Sequence, residues 1–368
     1  MRLLRNSNFM RLKYLILCFL LFTFHFSLLA QLGGTSTYDF LQLPMSARTS
    51  ALGGNFMAIR DADLGIAAIN PSVLDSNLNN HATINYIPYF DGIDYGYVAI
   101  SHTVKNVGFL GQSGTWDAGI KYIDYGTFTQ ADYVGAVTGT FTAGEYQFNL
   151  GYGQPMKDST ISAGATLKGI YSHLQQYYSW GMALDLAGTY VSKNRRFCVA
   201  AVLQNIGTQV KDYTTGNPEP LPFNAVVGIT EKLAHAPFRV GVTFDHLQKF
   251  DIFYLDPTDT ETVNPLTQQV VKTSALGTFA DKVMRHITPN IEFVLGKNFM
   301  IRFAYNYEMR KELELTSRQG LVGFSGGFGI KIYKFQLNYA LASYNLGGVI
   351  STFSMNMALS DFYYTRKT

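Results

Sequence analysis

Hydrophobic positions recur at every second residue along most of the chain. In residues 161–172, Ile161, Ala163, Ala165, Leu167 and Tyr171 fall on one parity, and Ser162, Gly164, Thr166, Lys168 and Ser172 on the other. Residues 178–190 repeat this, with Tyr178, Trp180, Met182, Leu184, Leu186 and Tyr190 set against Ser179, Gly181, Asp185 and Thr189. Phe299, Ile301, Phe303, Tyr305 and Tyr307 alternate in the same way with Arg302 and Asn306. A helix would scatter such a set around its axis, so the period selects strands. Comparable segments lie at residues 82–90, 94–103, 116–124, 145–152, 197–204, 223–230, 238–245, 287–295, 321–332, 335–342 and 353–359. The total is about fourteen, an even number, as in bacterial single-chain membrane barrels. Pro88 and the glycines around residues 111–114 blur the alternation in the first three.

The connections sort by length. Every second one reads as a short turn: Lys105 and Asn106, residues 155–159, 192–196 and 231–236, Gly296 and Lys297, Tyr333 and Lys334. The long insertions, residues 125–143, 207–222, 248–286 and 309–320, all fall on the other set. Short periplasmic turns opposite long extracellular loops are the pattern of an outer-membrane barrel, and a soluble sandwich has no reason to sort its loops. The fold class expected is therefore all-β, a transmembrane antiparallel barrel spanning residues 81–368, with its N-terminus periplasmic. Tyrosines near segment ends (Tyr171, Tyr178, Tyr190, Tyr305, Tyr339) suit an interfacial girdle.

Composition sharpens this. Charged residues make up 15% of the chain and aromatics 14%, with 24 Tyr and 27 Phe but only 2 Trp. A water-soluble domain carries about 25% charged residues. Beyond residue 30 the longest apolar run, residues 198–203, falls far short of the roughly 20 needed for a membrane-crossing helix, whereas a barrel strand needs only about 9–11. The net charge of +3 gives no electrostatic footprint for nucleic acid.

Residues 1–30 read as a secretory signal peptide. Arg2, Arg5, Arg11 and Lys13 precede the apolar LILCFLLFTFHFSLLA, which ends at Ala30. A lipoprotein reading of Cys18 fails because Phe19, Leu20 and Leu21 continue the apolar run. Removal of this leader leaves Cys198 alone, which excludes a disulfide framework.

Residues 31–80 differ from the rest. LPMSARTSALGGNFMAIRDADLGIAAINPSVL is rich in Ala and Gly and poor in strand signals, with a helix-like run at residues 64–69 that Asn70 and Pro71 should end. Small residues permit close backbone packing, so the segment is expected to be a plug inside the barrel, with Gly53, Gly54, Asn70 and Pro71 shaping it. The competing reading is a lead-in lying on a surface.

Candidate chemistry is sparse. Gly323-Phe324-Ser325-Gly326-Gly327 matches the nucleophile-elbow pattern but lies within one alternating run, not at a strand-to-helix turn. Asp256, Asp259 and Glu261 lack the spacing of a calcium loop, and the histidines are scattered. No catalytic, cofactor or metal site is expected. Lys168, Asp185, Arg239, Asp245, Arg302 and Lys331 sit on the polar parity. Facing lipid they would cost about 2–4 kcal/mol each, so they should point into the lumen, paired with one another or lining a path. The longest connection, residues 248–286, sets Phe253 and Tyr254 beside Asp256 and Asp259. That mixture suits a polar-rimmed protein contact.

Three stretches resemble a known family: GGTSTYDFLQLPMSARTSALGGNF with INPSVL, IDYGTFTQADYVGAVTGTFTAGEYQFNLGYG, and RQGLVGFSGGFGIKIYKFQLNYALASYNLGG. QNIG at residues 204–207 and PLPF at residues 220–223 extend the match. The chain is similar to the PorV/PorQ family of type IX secretion proteins, itself related to FadL-like barrels. The resemblance implies a non-catalytic outer-membrane barrel with an N-terminal hatch, working with PorU, PorV and PorZ to process secreted cargo and attach it to lipopolysaccharide. Residues 112–116 depart from the pattern as extra length, and Asn338 stands where related barrels often carry Asp. The alternative function is FadL-like transport of small hydrophobic molecules.

Overall fold

The computed structural model describes residues 36–105, 113–156, 159–252, 275–296, 298–313, 320–345 and 348–362. Fourteen strands close into one antiparallel barrel. They are β1 (His81–Pro88), β2 (Asp94–Val104), β3 (Gly114–Ala131), β4 (Val137–Pro155), β5 (Ile161–Leu174), β6 (Tyr177–Val191) and β7 (Phe197–Lys211). The second half comprises β8 (Asn224–Lys232), β9 (Phe238–Phe244), β10 (Ile287–Leu295), β11 (Phe299–Tyr305), β12 (Phe324–Ile332), β13 (Phe335–Asn345) and β14 (Gly348–Ala358). Each expected strand coincides with an observed one. Closure is made by β1 on β14, from His81↔Ala358 to Tyr86↔Phe353. It leaves no open edge at membrane depth, where an unpaired N–H or C=O costs several kcal/mol.

Alternation decides which face each residue takes. Leu167, Met182, Leu186, Leu203, Phe303 and Phe328 are all more than 40% exposed on the outer wall. One inward row runs Ser101↔Asp117, Asp117↔Gly151, Gly151↔Thr166 and Thr166↔Asp185 across β2 to β6. Tyr146, Tyr171, Tyr178 and Trp180 cluster at one end of β4–β6, with ring centroids 4.6–6.5 Å apart. Trp116 and Tyr152 pair at the opposite end, 4.8 Å apart. Two such clusters bracketing an apolar band match the interfacial girdles of a membrane barrel.

Three expectations about the connections change. Residues 125–143 are not a loop: β3 and β4 stay paired out to Ala131↔Val137, with irregularities at Asp124/Thr127 and Gln130/Ala131. Because β2 pairs with β3 only as far as Asp124 and β5 with β4 only from Ala143, the outer part is a free two-stranded ribbon. Its alternating threonines favour extended backbone despite low hydrophobicity, and Phe128 stacks on Phe141 at 5.2 Å. Asp132 turns the tip, its Oδ1 accepting from the N–H of Val134 and Ala136. The second connection is longer than a two-residue turn, since β2 ends at Val104 and β3 begins at Gly114. The long insertions after β9 and β11 contain helices, residues Ala275–Arg285 and Tyr307–Leu313.

The ribbon and the long connections gather at one end of the barrel. Residues 36–43 are at that same end, where Thr37 N donates to Pro220 O between β7 and β8 at 2.9 Å. This separates two halves of the topology read from sequence: if the long connections are extracellular, the first described residues are on that side too. The physical reason is that residues 36–80 traverse the whole lumen before β1 starts from the short-turn end. The signal peptide and residues 31–35 lie outside the described residues.

Depth in the bilayer gives a test. Leu167 at mid-strand and Ile161 at a strand end are equally exposed, 48% and 49%. Leu167→Arg should destabilise the folded barrel by about 2–4 kcal/mol and Ile161→Arg by only about 0–1. Urea titrations scored by the gel shift between folded and boiled protein measure both. Equal penalties would contradict the assignment of a lipid-facing band.

Candidate functional site

The plug is built from short capped pieces. Helix α1 (Ala47–Ala51) starts at Ser46, whose Oγ accepts from Thr49 N while Thr49 Oγ1 accepts from Ser46 N. This reciprocal cap satisfies donors that a five-residue helix cannot. Gly53 (φ 94°) and Gly54 (φ 102°) then reverse the chain in the left-handed region, which side-chain-bearing residues avoid. Helix α2 (Leu64–Ala67) is capped by Asp63, whose Oδ1 accepts from Gly65 N at 3.0 Å. Asn70 caps the following 3-10 turn (Pro71–Val73) and donates through Nδ2 to Met57 O and Thr189 Oγ1 on the wall. Small wall residues receive the plug. A Cβ on Gly164 would stand 2.5 Å from Ser72 N, and one on Gly327 would stand 2.9 Å from Ala51 Cβ.

Charge fastens it. Arg48 of α1 is 2% exposed and reaches Asp61 at 2.8 Å, Asp63 at 3.1 Å and Glu292 of β10 at 3.1 Å. Glu292 also takes Arg302 at 2.8 Å and Arg239. Arg302 Nη1 donates to Asn338 Oδ1 at 2.9 Å, and Asp63 accepts from Asn356 Nδ2. Three guanidinium groups and three carboxylates thus neutralise one another where plug and wall meet. Removing one partner would leave an uncompensated charge in a dry site.

The charges expected on the lumen side are distributed as follows. Arg302 and Arg239 join the latch. Lys168 and Asp185 pair separately at 2.6 Å, with Asn205 bridging them: its Oδ1 accepts from Lys168 Nζ and its N–H donates to Asp185. Asp245, just beyond β9, accepts from Asn55 of the plug and Asn224 of β8, both at 2.9 Å. Lys331 has inward parity but is exposed at the short-turn end and belongs to no described ion pair. Sequence reading missed the plug's half of the latch, Arg48, Asp61 and Asp63, together with Glu292. It also missed Lys121, buried and pointing its Nζ at the carbonyls of Phe40 (2.6 Å) and Leu43 (2.8 Å). Ser325 of the elbow-like motif lies in β12 and donates to Ala51 O, so it serves the plug. Phe253, Tyr254, Asp256 and Asp259 fall outside the described residues.

Plug and wall pack closely at the level of the Lys168–Asp185 pair. The cavity bounded by Leu41, Met45, Ile69, Lys168 and Asn224 holds about 20 Å³, room for about one water. Nearer the long-connection end Phe40 and Leu41 fill an apolar layer with Ile87, Tyr95, Ile123, Ile170 and Leu221.

No family model and no curated protein matches this chain. Two solved structures resemble it in architecture. The Ralstonia pickettii toluene transporter TbuX is 11% identical, covering 87% of this chain and 99% of its own at a TM-score of 0.49. The P. putida toluene transporter TodX is 10% identical, covering 86% of this chain and 96% of its own at a TM-score of 0.46. The barrel described above stands on its own strand pairing, independently of these likenesses.

Above the lumen, α3 (Ala275–Arg285) and α4 (Tyr307–Leu313) carry a separate acidic contact. Burial, with Glu312 and Asp245 nearby, pushes the Glu308 carboxyl up to about 9, and His246 Nε2 is 3.7 Å away. Since the ordinary value is about 4.3, folding favours the protonated form, and that contribution is lost as pH rises through 9. A fluorophore on Met309→Cys should become more accessible to iodide between pH 6 and 10, and Glu308→Gln should flatten the response; an unchanged profile would contradict the assignment.

The latch predicts that Arg48→Ala weakens plug docking by about 3–5 kcal/mol. Planar-bilayer recordings should show channel openings absent from the wild type and from Lys331→Ala. Silent recordings for all three would show that the latch does not hold the plug.

Proposed function

We propose that this chain is a non-catalytic outer-membrane component of the type IX secretion machinery, working as a surface anchor whose own N-terminal segment keeps its lumen shut. One observation carries the anchor reading: the plug fills the barrel and is tied to the wall by a neutralised buried ion cluster. A barrel so filled offers its outer end, not its interior, to other molecules. At that end the β3–β4 ribbon projects with Tyr133 99% exposed and Val134 and Val137 about 70% exposed. Between Asp124 and Glu145 it contains one charge, Asp132. Isolated two-stranded ribbons are marginal in water, and edges free of Lys or Pro invite another strand. The assignment to type IX secretion rests on the sequence resemblance, as do PorU, PorV and PorZ as partners and lipopolysaccharide as the site of cargo attachment.

A second reading is transport of small hydrophobic molecules. TbuX and TodX are named as toluene transporters, so their names speak of transport and not of secretion. In this chain the observation favouring transport is the apolar layer around Phe40 and Leu41, which would become a binding chamber if the plug's first residues withdrew.

One variant separates the readings. Replacing residues 127–142 by a Gly-Ser turn should leave heat-modifiable, closed barrels, because wall pairing ends at Asp124 and resumes at Ala143. Cargo display and co-purification of surface partners should fall to background, with uptake of a hydrophobic probe unaltered. Normal display would remove the ribbon from the anchor reading, and loss of probe uptake would favour transport.

A further inference from the structure

The short-turn end of the barrel carries a cleft that the latch does not use. It measures about 270 Å³ and is formed where the plug meets the β4–β5 and β6–β7 turns, lined by Arg60, Asp75, Ser159, Ser192, Lys193 and Arg195. Arg60 comes from the plug and is largely buried, at 11% side-chain exposure. Its Nε donates to Asp75 Oδ2 at 3.0 Å and its Nη1 to Ser159 O at 2.7 Å, which leaves Nη2 without a partner among the described residues. The Asp75 carboxylate is already engaged. Besides Arg60 it accepts from the N–H and Nδ2 of Asn77, at 2.8 and 3.1 Å. Opposite stand Lys193 and Arg195, exposed on the β6–β7 turn and in no ion pair among the described residues.

Among the described residues the cleft therefore presents three cations against one carboxylate whose oxygens are occupied, with Ser159 and Ser192 also in its lining. A fixed guanidinium beside two exposed cations suits an anion with several oxygens, and phosphate accepts such charge-assisted hydrogen bonds from more than one donor at once. We propose that this cleft binds a phosphate group, held by Arg60 from the plug and by Lys193 and Arg195 from the turn. A phosphate so placed joins the lower end of the plug to two wall turns and reinforces the closed state independently of Arg48. Two sources carry this chemistry at a membrane face: a phospholipid headgroup and free phosphate. Basic side chains near a membrane surface attract anionic headgroups.

The test is native mass spectrometry of the detergent-purified full chain, titrated separately with phosphatidylglycerol, with inorganic phosphate and with uncharged diacylglycerol. The wild type should retain phosphatidylglycerol over diacylglycerol, and Lys193→Gln/Arg195→Gln should retain about tenfold less. Arg196→Gln, exposed on the same turn but outside the cleft, should behave as wild type, and the gel shift on boiling confirms that each variant is folded. Phosphatidylglycerol bound with no adduct from inorganic phosphate identifies a lipid headgroup as the source. An inorganic phosphate adduct that is lost in the double variant and displaces the lipid identifies free phosphate. Equal retention of phosphatidylglycerol by wild type and double variant, or equal retention of diacylglycerol, would overturn the proposal.

Discussion

A guanidinium buried inside a membrane barrel has to be neutralised there, and the arrangement of this molecule follows from how Arg48 meets that demand. Two of its partners, Asp61 and Asp63, lie in the plug, and the third, Glu292, belongs to the wall. Plug and wall therefore each lack charge balance without the other. Glu292 in turn holds Arg302 and Arg239, so two further barrel cations depend on a carboxylate shared with the plug. Desolvation makes such clusters a poor source of net stability but a strong specifier of one geometry, since every misplacement strands a charge.

Much of the wall was legible in the sequence because period two is a direct image of the pleat: each strand faces lipid on one side and a polar lumen on the other. Leu167 and Lys168 show it in two adjacent residues. The ribbon escaped because residues 127–142 face water on both sides, so no apolar parity marks them; only their threonines and the Phe128–Phe141 pair signal extended backbone. The plug was visible as a small-residue anomaly, and Gly164 and Gly327 explain why its neighbours are small as well. Its charges were not singled out because Arg48, Asp61 and Asp63 look like solvated residues in a polar stretch, and the pairing of Arg48 with Glu292 spans more than two hundred residues. The destination of residues 36–43 was hidden for a related reason, since nothing in a linear reading says how far a plug travels before the first strand begins.

Placement of function at the outer end follows from how the interior is filled. Ion pairs, backbone carbonyls on Lys121 and close glycine contacts tie the plug to the wall, while the inward side chains of Asp117, Gln147 and Asn149 each keep a buried polar atom without a hydrogen-bond partner among the described residues. The same inventory shows what opening would require: separation of the Arg48 cluster, withdrawal of Phe40 and Leu41 from their apolar layer, and release of the Lys121 ammonium from its carbonyls. Those steps are coupled through one continuous segment, so the plug is expected to move as a unit or not at all.

Whether the protein works with its plug in place is the central question, and a reversible cross-link addresses it directly. Ala58 of the plug and Gly228 of β8 face each other closely, a Cβ on the glycine standing 2.9 Å from that of the alanine, so a shift of about 1 Å between plug and wall brings the pair to the separation a disulfide spans. With Ala58→Cys/Gly228→Cys, display of secreted cargo should be the same whether the bond is oxidised or reduced. Loss of display on oxidation, restored by reductant, would contradict a barrel that acts while closed.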